Sequence, residues 1–127
     1  MEIAYFCVLI NCCLPVIWAG LAKMIAGFRI KDNNSPREFL GRQSGASKRA
    51  LWAQKNAWEA LCPFASAVII AAICEVPVDN VVWAAVIYTV CRIIYGFVYI
   101  MDYATLRSLI WSIAVLLNIY IFVIAIF

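Results

Sequence analysis

Apolar residues fill four long stretches of this chain, at roughly 3–28, 47–73, 80–101 and 105–127. Each is long enough for the about 20 helical residues that cross a hydrocarbon core of roughly 30 Å. Strands of a transmembrane barrel would alternate apolar and polar residues over about ten positions, and no stretch here alternates. The pattern predicts four membrane-spanning helices. The first reads as a permanent span and not as a leader, since Glu2 is acidic, no basic residue precedes the apolar run, and the run is too long.

The connections differ sharply in length. The segment FRIKDNNSPREFLGRQSGASKRA predicts a loop over about 29–46, with Asp32-Asn33-Asn34-Ser35-Pro36 as a dense turn signal. Ser47 is expected to cap the second helix. Glu75-Val76-Pro77-Val78-Asp79 makes a tight turn, with Asp79 or Asn80 as the expected cap of the third helix. Few residues, about Asp102 to Thr105, separate the last two spans. Short connections make sequential helices antiparallel neighbours, so the expected fold is one all-α domain, an up-down four-helix bundle. Pro15 and Pro63 fall inside spans, where each removes a backbone donor and predicts a local kink.

Composition agrees with this reading. Of the 127 residues 67% are apolar and 13% charged, whereas a soluble domain carries about half and about a quarter. Charge then orients the bundle. Eight of the ten Lys and Arg lie between Lys23 and Lys55, and Arg107 sits in the last connection. The other side has Glu2, Glu75 and Asp79 and no basic residue. The positive-inside rule puts the 29–46 loop in the cytoplasm and both termini outside. The net charge of +3 thus reflects topology, and no basic patch interleaved with aromatics suggests nucleic acid. Six scattered cysteines with no CxxC and no His lack the closer or better-paired spacing that a zinc site or a disulfide framework needs, and free cysteines acting as small hydrophobes are the preferred reading.

Polar residues at membrane depth carry the candidate chemistry, because an ionisable side chain there needs a partner or a wet cavity. At about 100° per residue, Arg49, Trp52, Asn56, Glu59 and Pro63 fall within roughly 80° of one another. Arg92, Tyr95 and Tyr99 share one face of the third span. Glu59 lies 14 residues before Ile73, about 21 Å below that surface, and Arg92 lies 11 residues after Val81, about 17 Å below it. The two are therefore expected to form an ion pair or to share a hydrogen-bond network. Continuing through Tyr99 to Arg107, the residues form a polar column opening to the cytoplasm. Structural glue between helices would explain one such pair. Two stripes, two tyrosines and a terminal arginine favour a binding site.

The pattern Arg49-x6-Asn56-x2-Glu59-x3-Pro63, then Arg92-x2-Tyr95-x3-Tyr99 and Leu106-Arg107-Ser108, resembles the MAPEG family of eicosanoid and glutathione metabolism. That family includes microsomal glutathione transferases, leukotriene-C synthase and the membrane prostaglandin E synthase. The resemblance implies a homotrimer with glutathione as cosubstrate, bound between subunits near the cytoplasmic side. By position, Arg49, Asn56, Glu59, Arg92, Tyr95 and Tyr99 correspond to glutathione-contacting or supporting residues. Arg107 looks like the arginine that stabilises the thiolate, with Ser108 as a hydrogen-bond donor and Tyr99 beside them. Trp52 stands where several enzymatic members carry Arg, with Lys55 or Arg49 as the available replacement. An apolar electrophile or lipid hydroperoxide would then arrive from the bilayer, for conjugation or reduction.

Two other classes remain open at this stage. A non-catalytic membrane protein could keep the same fold. A small proton-coupled multidrug transporter also has four short helices, but places its carboxylate in the first, where this chain has Asn11 as the strongly polar residue at depth. Compact loops without targeting signals point to a bacterial inner membrane, with a eukaryotic endomembrane as the alternative.

Overall fold

A computed structural model describes residues 1–127. Four helices are long and apolar enough to cross a membrane: α1 (Glu2–Ile25), α3 (Gly45–Ile73), α4 (Val78–Ile100) and α5 (Ala104–Ile126). Between α1 and α3 the chain forms a 3₁₀ turn (Ile30–Asn34) and a short helix, α2 (Pro36–Gly41). The expected 29–46 loop is therefore partly helical. Pro36 opens α2, where its missing N–H is harmless, and Leu40 is buried with Ala22 and Ala50. Pro15 and Pro63 both sit within unbroken helices.

The helices pack by stripes of small residues. The covered face of α1 is Ala4, Cys7, Asn11, Leu14, Trp18 and Ala22, spaced three or four apart. On α3 it is mostly alanine: Ala50, Ala53, Ala57, Ala67 and Ala71. Small side chains let backbones approach closely where lipid supplies no hydrophobic drive between helices. Against this alanine seam α1 makes its most extensive contact, and α4 and α5 form the next. α3 and α4 also touch each other and both flanking helices, so they form the central pair, with α1 and α5 on opposite sides of it. Sequential helices are neighbours as expected, but the bundle does not close α5 back onto α1. Two contacts fix α1 against α4. Asn11 Nδ2 donates to Thr89 Oγ1 at 2.9 Å, both groups buried. Trp18 covers Gly96 and meets Phe97 edge-on at 5.2 Å between centroids.

The two ends of the bundle differ. Around the termini and the 74–77 turn, thirteen buried residues including Phe64, Val68, Tyr88 and Ile121 form one apolar core. Only small clusters occupy the opposite end, which carries α2. One end is sealed and the other is left for polar chemistry.

Three helices end in the same way. The Phe28 N–H reaches the Lys23 carbonyl and the Gly27 N–H that of Met24, with Gly27 at φ 66°. The same six-to-one and five-to-two bonds occur at Val76 and Glu75, and at Tyr103 and Asp102. Gly27 stops α1 at Ile25, short of the expected extension to residue 28. Glu75 and Asp102 hold the left-handed conformation at φ 55° and 70° without being glycine. Exposed Glu75 makes no side-chain bond, so Glu75→Gly is expected to stabilise the protein by about 0.5–1 kcal/mol, the left-handed penalty less the entropy of glycine. An unchanged or lower melting temperature in detergent would refute this.

Two expected caps are corrected. α3 starts at Gly45, with Ser44 at its N-cap, and Ser47 lies inside the helix. Its hydroxyl instead donates to the Ala22 carbonyl at 2.9 Å, tying α3 to the end of α1. α4 starts at Val78 after Pro77, so Asp79 and Asn80 are already helical, and the Asn80 N–H binds the Pro77 carbonyl. Pro77 stands at the N-cap, where its carbonyl takes the Asn80 N–H that a side-chain cap would otherwise serve.

Candidate functional site

The polar stripes of α3 and α4 meet at the open end, and Asn56 joins them. Its Oδ1 accepts from the Arg92 guanidinium at 2.8 Å, and its backbone carbonyl accepts from the same nitrogen at 3.2 Å. Its Nδ2 faces Glu59 Oε2 at 3.4 Å. Arg92 is only 3% exposed, so these contacts are what make its burial tolerable. The expected direct Glu59–Arg92 ion pair is not formed. Asn56 precedes Glu59 by three residues on the same helix face and its short side chain reaches the guanidinium first. The shared network is the alternative realised, and Glu59 keeps an exposed carboxylate that pairs with no cation.

Aromatic rings extend the column toward the α2 end. The Arg92 guanidinium lies 4.6 Å from the centre of the Tyr95 ring. Tyr95 meets Tyr99 edge-on at 5.6 Å, and Arg107 sits over Tyr99 at 4.3 Å. Trp52 faces Tyr99 at 6.4 Å. Arg107 comes from the first turn of α5, and the tight Asp102–Tyr103 turn swings it back over Tyr99.

Lys55, Asn56, Glu59, Tyr95, Tyr99 and Arg107 line one cleft of about 490 Å³, together with Trp52. Ser108 lies in an adjoining recess with Tyr95 and Arg107, its hydroxyl donating to the Ala104 carbonyl at 3.2 Å. Arg92 opens onto a deeper cleft of about 210 Å³, shared with Asn56 and Glu59. Arg49 stands apart. Although it lies on the same helical stripe, its Nε donates to the Ile100 carbonyl at 2.9 Å and its guanidinium faces Asp102 at 3.5 Å. Unsatisfied carbonyls and the negative end of the α4 dipole hold it at the rim.

The deeper cleft contains residues the sequence reading did not single out: Tyr88, Trp111 and Asn118. Tyr88 stacks on Phe64 at 4.0 Å and donates to the Ala60 carbonyl at 3.0 Å. Asn118 Oδ1 is buried without a partner. Asn118, the one strongly polar residue in the apolar second half of α5, was the available signal.

Chemically, the larger cleft offers one unpaired carboxylate, two unpaired cations in Lys55 and Arg107, and an aromatic wall. Such a surface complements a small zwitterion with more than one acidic group. Its side toward Trp52 is open, that indole being 44% exposed. Residues 3–127 match the sequence profile of the MAPEG family. No curated protein and no solved structure matches the chain.

Proposed function

Because the chain belongs to the MAPEG family, we propose that it is an integral-membrane glutathione-dependent transferase or peroxidase working at the Lys55–Arg107 cleft. The observation that carries this reading is the charge set there: an unpaired Glu59, an unpaired Lys55 and an Arg107 stacked only on Tyr99. These fit glutathione, whose ammonium suits Glu59 and whose carboxylates suit the cations. Glutathione supplies the thiol nucleophile.

Each residue has a definable task in this proposal. A free thiol has a pKa of about 8.5, and an adjacent Arg lowers it, so Arg107 holds negative charge at the sulfur. Tyr99 fixes the Arg107 plane by cation–π contact. Arg92, through Asn56, keeps the α3 wall in register. Ser108 can donate to the sulfur if its hydroxyl turns from the Ala104 carbonyl. Arg49 serves the scaffold at the rim and not the ligand.

The same reading includes a homotrimer. Glu59 and Trp58 are exposed at membrane depth, and a neighbouring copy would cover them and complete the site. It also places the basic end of the bundle in the cytoplasm, by the positive-inside rule. An apolar electrophile or lipid hydroperoxide would reach the cleft from the bilayer.

Titration of the purified protein with glutathione, followed by thiolate absorbance, tests the proposal. The expected result is a saturable thiolate signal at neutral pH. Binding without any thiolate signal would instead support a non-catalytic member of the family.

A further inference from the structure

Arg49 reaches from α3 to the corner between α4 and α5, the same corner that carries Arg107. The backbone bonds that close α4 use the carbonyls of Phe97, Val98 and Tyr99 and leave that of Ile100. Arg49 Nε donates to it at 2.9 Å, while a second nitrogen of the same guanidinium faces Asp102 Oδ2 at 3.5 Å. One planar group thus grips both sides of the turn, as its rigid fork allows. Deeper in the bundle α3 and α4 are joined by Arg92 to Asn56 and by Tyr88 to Ala60. At the open end Arg49 makes the only hydrogen-bonded link between them.

That link fixes one wall of the cleft against the other. Lys55 and Glu59 stand on α3, whereas Tyr99 and Arg107 flank the corner on α4 and α5. Past the left-handed Asp102, the Tyr103 carbonyl accepts from the Arg107 N–H at 2.9 Å, so the start of α5 turns with the corner. We propose that Arg49 is a positioning residue for Arg107: it clamps the α4–α5 corner to α3 and so holds the Arg107 guanidinium at the bound thiol. This rests on the reading that Arg107 stabilises the thiolate. The charge of Arg49 is engaged by Asp102, so its effect is one of position. Position and charge predict opposite signs for Asp102→Asn. Removing an acidic group by charge alone makes the cleft more positive and lowers the thiol pKa. Loosening the clamp withdraws Arg107 and raises it.

The test uses the full chain in detergent micelles as wild type, Arg49→Gln and Asp102→Asn. Asparagine tolerates the left-handed backbone at position 102, so the second variant keeps the turn and decides the matter should the first not fold. Followed against pH, the thiolate absorbance of bound glutathione is expected to shift upward by about half a unit in both variants. That is a roughly threefold loss of thiolate below the midpoint. The other ionisable groups facing the cleft, Lys55 and Glu59 on α3 and Tyr95 and Tyr99 on α4, are the same in all three proteins. A downward shift in Asp102→Asn, or no shift in it, would overturn the proposal. A second readout needs no glutathione. With ¹³C-labelled arginine, the Arg107 δ-methylene signal is assigned by its loss in Arg107→Lys. The Tyr99 ring beneath it should place it upfield of exposed arginines, and both variants should return it toward them. A signal unmoved in Asp102→Asn would overturn the clamp, even where the wild type forms no thiolate and the glutathione reading itself fails.

Discussion

Arg107→Ala is expected to lower kcat/KM for glutathione conjugation by about 100- to 1000-fold, the range for removing one donor aimed at developing negative charge. The loss should fall on kcat, with glutathione binding retained through Lys55 and Glu59. Two features of the site support this division. Arg107 contacts the Tyr99 ring and belongs to no ion pair, so its charge is available to a ligand. It also comes from the first turn of α5, where its loss removes no buried packing. Measured against pH, the bound-thiol absorbance should appear at higher pH in the variant. Arg107→Lys should fall between, because an ammonium keeps the charge but loses the planar stack on Tyr99. A thiolate signal unchanged in Arg107→Ala would transfer the role to Lys55.

Gly96→Ala is expected to damage the fold although it adds only one methyl group. A methyl at this position would overlap three atoms of the Trp18 indole. That ring is 2% exposed, packs with Leu14, Ala53 and Ala57, and meets Phe97 on α4. A bicyclic side chain so enclosed cannot swing aside, so α1 and α4 must separate. Overpacking of this kind costs about 1–3 kcal/mol or more, a fall of roughly 10 °C in melting temperature. Pairing it with Trp18→Leu should recover much of the loss, whereas independent effects would simply add. Melting of Gly96→Ala together with the wild type would contradict the close approach of these helices.

What the sequence disclosed depended on the range of the interaction involved. The four spans were legible because run length and apolarity are properties of single segments. The Asn56–Glu59 stripe and the Arg92–Tyr95–Tyr99 stripe were legible because helical period aligns residues without reference to a partner. Whether Arg92 meets Asn56 or Glu59 depends on side-chain reach across two helices, which periodicity does not encode. Arg49 shows the same limit, since its stripe pointed to the cleft while the α4 carbonyls drew it to the rim. α2 was hidden by its surroundings, because the strong turn signal of residues 32–36 masked the six helical residues that follow. The Trp18–Gly96 contact carried no periodic mark at all.

Glu59 is the central residue of α3, 14 positions and about 21 Å from either end, and its side chain is exposed in a lone protomer. In fluid lipid that carboxylate would face hydrocarbon wherever the water of the cleft does not reach it, and in the proposed homotrimer a neighbouring copy covers it. Stability should then follow mass action in two dimensions, with the relevant concentration being copies per lipid and not copies per volume. Dilution with excess lipid would loosen the helices even at constant temperature and pH, and glutathione would oppose that dilution by favouring the covered form.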